Sequence, residues 1–183
     1  MDPGAQLARR ISAERAGRKW SLADLADRCG VSRAMLSKIE REEASPTASV
    51  LARIASAFDV TLAELLTEPE ADAARCVRAA DQPTWTDPAS GYRRRQVYLS
   101  ARLPLELVEV DLPAGASVAI PASSYALIRQ VLWVIEGRIA IIEGPSRTDL
   151  CPGDRLEFGP PADCSFSNES DQPARYLVAL IRA

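Results

Sequence analysis

The chain has 183 residues, 47% of them hydrophobic and 26% charged, with a net charge of −3; that length accommodates one large or two small domains, and the composition is that of a soluble globular protein. Histidine is absent, which excludes Ser-His-Asp and Cys-His nucleophile systems and any His-ligated zinc or iron site. Nine Lys/Arg stand against five acids within residues 1–41 of a chain that is acidic overall, a balance that suggests one face built for a polyanion.

No apolar run approaches the roughly 18–20 residues that span a bilayer. The opening segment MDPGAQLARRISAERAGRK lacks the apolar stretch and cleavage site of a secretory signal. Cys29, Cys76, Cys151 and Cys164 are scattered and form no CxxC pair. A cytoplasmic protein with reduced thiols and no membrane partner is expected.

Residues 5–67 read as a domain of five short helices. Apolar positions recur at three and four: Leu7 and Ile11; Leu22, Leu25, Ala26 and Cys29; Leu36 and Ile39; Val50, Leu51, Ile54, Ala55 and Phe58; Leu62, Leu65 and Leu66. Start signals precede the later blocks at Ser21, Ser32, Pro46-Thr47 and Thr61. Residues 68–83, polar and alanine-rich, read as a linker, with the next domain's first strand beginning as early as about residue 74. From 84 to 183 the period changes. ELVEVDL, SVAI, VLWVIEG, RIAIIEG, RLEF, CSFSN and RYLVALI are short, β-branched or aromatic, and broken by Pro and Gly, which predicts an antiparallel sandwich or barrel.

Within the helical half, LADLADRCGVSRAMLSKIERE has a helix–turn–helix layout. Leu22, Leu25 and Ala26 make an inner face, Gly30 supplies a turn of positive φ, Val31 plugs the gap and Ser32 caps the second helix. Leu36 and Ile39 hold that helix to the core, leaving Arg33, Ala34, Ser37 and Lys38 outside. Such a helix fits the major groove, its N-terminal residues at the base edges.

On these residues, continued through Ser45-Pro46-Thr47 to Ile54-Ala55, residues 7–66 resemble the phage-repressor (Cro-like, XRE) helix-turn-helix family. The resemblance implies a double-stranded DNA operator as partner. It implies that Ser21 touches backbone phosphate and that Ser32, Arg33, Ala34, Ser37 and Lys38 face bases and phosphates. Arg33 is the candidate for guanine, because its guanidinium can bond O6 and N7 together; Arg18, Lys19 and Arg41 are expected on phosphates. Arg15 and Glu40 match a partly buried structural ion pair of the family. Glu42 departs from it, standing where the family usually has Gly. A left-handed Glu costs about 1 kcal/mol there.

Residues 75–183 resemble the cupin family, a double-stranded β-helix barrel. Gly137, Pro152-Gly153-Asp154 and Asn168 keep its frame, while the metal positions read Gln130, Cys164 and a stretch around Ser124–Ala126. Those residues do not make the His/carboxylate set that suits iron or manganese, so neither metal nor other cofactor is expected. The mouth of the barrel, with Tyr125, Gln130, Leu132, Cys164 and Phe166 as candidate lining, could instead hold a small effector. The whole therefore reads as an α + β two-domain regulator, not an enzyme: a five-helix DNA-binding domain joined to an antiparallel cupin barrel, acting as a homodimer. In the alternative the barrel only dimerises.

Overall fold

The computed structural model describes residues 3–66, 75–99, 103–126 and 128–182. The first segment forms α1 (Pro3–Gly17), α2 (Leu22–Cys29), α3 (Arg33–Glu40), α4 (Ala48–Ala57) and α5 (Leu62–Leu66). Ser21, Ser32 and Thr47 each accept, through the side-chain oxygen, the amide three residues on, at Asp24, Met35 and Val50. Thr61 does the same for Glu64 at 3.1 Å, and the Glu64 carboxylate reaches back to the Thr61 amide at 2.8 Å. Each cap satisfies an amide that has no partner within its own helix. Ile11, Leu25, Leu36, Leu51, Ile54 and Phe58, all fully buried, fill the space between the helices.

Three helices end alike. Lys19, Glu42 and Asp59 take φ of 58°, 62° and 56°. After α3, the Glu42 amide donates to Ile39 and the Glu43 amide to Lys38; the pairs Lys19–Ala16 with Trp20–Arg15, and Asp59–Ser56 with Val60–Ala55, repeat the pattern. This is the Schellman arrangement, which satisfies trailing carbonyls and favours Gly at the left-handed residue. Glu42 holds that conformation despite its Cβ. Glu42→Gly is therefore expected to raise stability by about 0.5–1 kcal/mol, strain relief offset in part by glycine's backbone entropy. A lower denaturation midpoint in the variant would contradict this.

The second half contains β1 (Thr84–Thr86), β2 (Arg93–Leu99), β3 (Leu105–Leu112), β4 (Ser117–Ile120), β5 (Ile128–Glu136), β6 (Ile139–Glu143), β7 (Ser146–Leu150), β8 (Arg155–Glu157), β9 (Cys164–Ser167) and β10 (Ala174–Arg182). Residue 74 lies outside the described residues. Residues 75–83 hold one 3-10 turn, Ala79–Asp81, and no strand, so the first described strand starts at Thr84. Every pairing is antiparallel. One sheet has the order β1-β2-β3-β10-β5-β8, the other β4-β9-β6-β7, and no ladder among the described residues closes one sheet onto the other. Side chains alternate as half-buried strands require: Val108, Val110 and Leu112 of β3, Leu132 and Val134 of β5, Ile139 and Ile141 of β6, and Tyr176 of β10 point into one core. Asn168, which matches the cupin frame, is a loop staple. Its Nδ2 donates to the Leu112 and Gln172 carbonyls at 3.1 and 2.8 Å, and its Oδ1 accepts from the Ser170 amide at 3.1 Å.

The two halves are docked through α4 and α5. Buried Asp87, beside β1, accepts the first amide of α4, that of Ala48, at 3.0 Å. Ser124 donates to the Ala52 carbonyl at 3.3 Å. Arg182, at the end of β10, reaches the Asp59 carbonyl at 2.8 Å and Glu64 at 3.2 Å. Trp85 packs against both cores.

Thr61 also donates to Glu106 of β3 at 2.6 Å, both side chains buried. Burial pushes the Glu106 carboxyl above its ordinary range; the Thr61 bond, Arg94 and Arg182 act against this, and Glu64 adds to it. For an acid raised on folding, the contribution is fully present below the ordinary carboxylate range and is lost as pH rises through the folded-state value. Glu106→Gln keeps the acceptor for Thr61 and removes the titration. It is expected to flatten the fall in melting temperature as pH rises above the ordinary carboxylate range; an unchanged pH slope would exclude Glu106 as its source. No helix among the described residues is long and apolar enough to cross a membrane.

Candidate functional site

The helix–turn–helix pair is α2 and α3. Gly30 closes α2 at φ 64°, its amide donating to Ala26, and Val31 is buried in the angle. Leu25 and Cys29 bury the inner side of α2; Leu36 and Ile39 bury that of α3. Arg33, Ala34 and Lys38 are left exposed, with Ser37 half-buried. The unsatisfied amides at the start of α3 and the Ser32 cap lie at the same end as Arg33, where a helix end favours phosphate oxygens. Ser21 and Ser32 are both engaged as helix caps. Lys19 is exposed on the left-handed residue before α2, and Arg41 is exposed with Glu43 at 3.1 Å.

Arg18, expected on a phosphate, is engaged within the helical domain. Its guanidinium donates to the Phe58 carbonyl at 2.7 Å and the Glu14 carbonyl at 3.1 Å, pairs with the Glu14 carboxylate, and lies 5.1 Å from the Phe58 ring. It ties α1 to the end of α4, where a cation meets the negative end of the helix. Arg15 and Glu40 form a two-bond pair, Nε–Oε1 2.7 Å and Nη2–Oε2 2.8 Å, with Arg15 Nη1 also donating to the Trp20 carbonyl at 2.9 Å. The Glu40 bond and charge raise the Arg15 pKa against the opposing effect of burial.

Two further exposed side chains lie on these two helices, neither of them singled out by the sequence pattern. Met35, on α3, is 39% exposed. Arg28 stacks over the Trp20 ring at 4.3 Å. Exposed methionine in a helix next to arginine was the available signal for the first; the second depends on Trp20 folding back, which periodicity does not show.

In the other half, Tyr125, Gln130 and Phe166 come together around a cavity of about 80 Å³ between the sheets, which Ala52 and Leu62 of the helical domain also line. Leu132 does not join them. It is fully buried, flanked in register by Val178 of β10 and Leu156 of β8, so the position two residues inward of Gln130 is packed core. Cys164 lines a narrower gap beside Tyr125, its thiol donating to the Ala162 carbonyl at 3.4 Å. Burial pushes the Cys164 thiol up to about 11 and holds the Tyr125 phenol well above its ordinary value. A neutral carboxamide, thiol and phenol are poor donors to a divalent metal, and these residues do not fit the metal that many cupins hold. All four cysteines are free, Cys29 and Cys164 buried and the other two exposed.

Residues 11–65 match the helix-turn-helix family HTH_3. The chain is 25% identical over 177 residues, 93% of its length and 91% of the other's, to the HTH-type transcriptional regulator SutR of Escherichia coli (strain K12). Among solved structures it is similar to an HTH_3 family transcriptional regulator from Vibrio cholerae, with TM-score 0.79 and 21% identity over 97% of this chain and 96% of that one. It is also similar, at TM-score 0.50 and 19% identity over 97% of both chains, to hydroxypropylphosphonic acid epoxidase from S. wedmorenis. An RmlC-like cupin from Shewanella frigidimarina NCIMB 400 matches at TM-score 0.50 and 16% identity, over 62% of this chain and 96% of that one. The chain thus has a segment, residues 11–65, that matches the helix-turn-helix family HTH_3, in front of an antiparallel β fold similar to that of a cupin.

Proposed function

We propose that this chain is a cytoplasmic, sequence-specific DNA-binding transcription regulator that acts as a homodimer and whose cupin domain senses a small, non-metal ligand. The observation that carries the DNA-binding reading is the outer side of α3: Arg33, Ala34, Met35 and Lys38 are exposed, while the opposite side of the same helix is anchored by Leu36, Ile39 and the Glu40–Arg15 pair. The likeness to a transcriptional regulator over nearly the whole chain supports the regulatory role.

A homodimer follows from the need to read two half-sites about one helical turn apart. The outer face of the six-stranded sheet suits a second copy, since Trp133 and Ile181 are about half exposed there beside Leu177. Catalysis is not part of the proposal, because the cavity's donors do not fit the metal that cupin chemistry uses.

The test separates base reading from phosphate contact. Arg33→Ala is expected to cost about 1–3 kcal/mol on a cognate site and far less on random DNA. Arg41→Ala should weaken both about equally and reduce the slope of log affinity against log salt by about one. Equal losses on specific and random DNA for both variants would contradict this assignment. No DNA binding at any salt would overturn the function itself.

A further inference from the structure

The run Arg93-Arg94-Arg95 on β2 divides as a strand with one buried face should. Arg93 pairs outward with Asp111 at 3.0 Å, and Arg95 with Glu109 at 2.6 Å and Gln82 at 2.6 Å. Arg94 turns inward with Tyr92 and Gln96. Gln96 is satisfied, donating to the Tyr98 carbonyl at 2.7 Å. Arg94 is not: its Nε is buried without a hydrogen-bond partner, and so is the Nε2 of Gln130. Both side chains line the 80 Å³ cavity.

No Asp or Glu is among that cavity's lining residues. Glu106, whose charge is felt by Arg94, is bonded instead to Thr61 and does not reach the cavity wall. The remaining polar groups there are the hydroxyls of Tyr92, Tyr125, Tyr176 and Ser124. Burial raises the pKa of all three tyrosines, so each stays protonated and able to donate. Arg94 also interacts with the Tyr92 hydroxyl and Gln130 with that of Tyr125, yet the Nε–H of an always-charged guanidinium and an N–H of a carboxamide stay buried without a partner. Leaving such groups unmatched is costly, and a carboxylate matches them with two parallel bonds.

We propose that this cavity binds the carboxylate of a small organic acid, with Arg94 and Gln130 donating to its oxygens; the inference rests on the ligand-sensing reading above. Size narrows the class. A dry cavity of about 150 Å³ holds a benzene, so one of about 80 Å³ takes an acid of about two or three carbons. The site also reaches the DNA-binding domain. Ala52 and Leu62 form part of its wall, and Arg53, next to Ala52, donates to the Gly30 carbonyl at 3.3 Å in the turn that sets α3. An acid in the cavity pushes or draws α4, and α4 holds that turn.

The experiment uses the full chain with acetate, glycolate and pyruvate, against acetamide and lactamide as uncharged counterparts and sulfate as a tetrahedral anion. Melting temperature and calorimetric titration read binding; fluorescence anisotropy reads DNA affinity with and without the acid. The expected result is that at least one acid binds and its amide does not. Arg94→Met and Gln130→Met should each raise the dissociation constant about 10- to 100-fold, with circular dichroism unchanged. Should Arg94→Met fail to fold, Arg94→Lys and Gln130→Met carry the test. Amides binding as tightly as acids, sulfate displacing every acid, or no acid binding would each overturn the proposal. Loss on Arg94→Met with none on Gln130→Met would also overturn it, moving the anion to the groove beside Gln6 and Trp85 that Arg94 also borders. An acid that binds as expected yet leaves DNA affinity unchanged supports the site and sinks the sensing reading instead.

Discussion

Arg15→Ala is expected to lower the stability of the helical domain by about 3 kcal/mol, which in a denaturant titration appears as a clear fall in midpoint. The pair with Glu40 has side-chain exposures of only 19% and 11%, and Arg15 makes three hydrogen bonds, two to the carboxylate and one to the Trp20 carbonyl. Removing it leaves a carboxylate without its counter-charge in a place water reaches poorly. That puts the cost near the lower end of values for breaking a buried pair and well above the 0–1 kcal/mol typical of exposed ones. Arg147→Ala is the matched control. Arg147 bridges Asp149 and Glu169, all three about half exposed or more, and solvent screening should leave the midpoint unmoved. A double variant, Arg15→Met with Glu40→Leu, should recover most of the loss, since neither charge is then stranded. If Arg15→Ala unfolded at the wild-type midpoint, the pair would be ornamental. DNA binding adds a second readout: an uncompensated Glu40 two residues from Lys38 and next to Arg41 should weaken affinity, more so at low salt.

What the sequence shows and what it hides follow from the range of the forces involved. Local rules placed the helix caps at Ser21, Ser32 and Thr47, because a cap is settled within three residues. They also flagged Glu42, whose left-handed conformation is a property of one residue in one turn. Period two placed the strands, and alternation put Gln130, Leu132 and Val134 on one side of β5. How deep each residue lies on that side is another matter. Leu132 is sealed by Val178 and Leu156, which arrive from strands far away in the chain, while Gln130 meets open space. The partners of Arg18 are hidden for the same reason: the Phe58 carbonyl to which it donates is 40 residues on. The docking of α4 and α5 rests on Asp87 with Ala48 and on Thr61 with Glu106. Neither has any signature in spacing, because a hydrogen bond between distant segments leaves no period.

The barrel's frame gives the other large effect: Gly137→Ala is expected to cost about 3 kcal/mol or more, and Gly115→Ala only about 1–2. Both glycines have positive φ, 74° and 68°, so both variants incur the left-handed penalty of an L side chain. Their surroundings differ. A Cβ on Gly115 meets nothing within 4 Å, whereas one on Gly137 falls 2.5 Å from the Pro173 carbonyl oxygen and 2.7 Å from Ala174 Cα. These are backbone atoms, which cannot swing aside as a side chain would, so the clash must shift the entry into β10. That strand lies between β3 and β5 in the larger sheet. Ala174 is its first residue and Tyr176, fully buried, its third, so a shift there disturbs the core that the whole sheet shares. Urea unfolding of both variants, followed by circular dichroism, isolates the close approach from the conformational penalty. Equal midpoints for the two would show that the chain relaxes around position 137, and that the glycine is required by the turn alone.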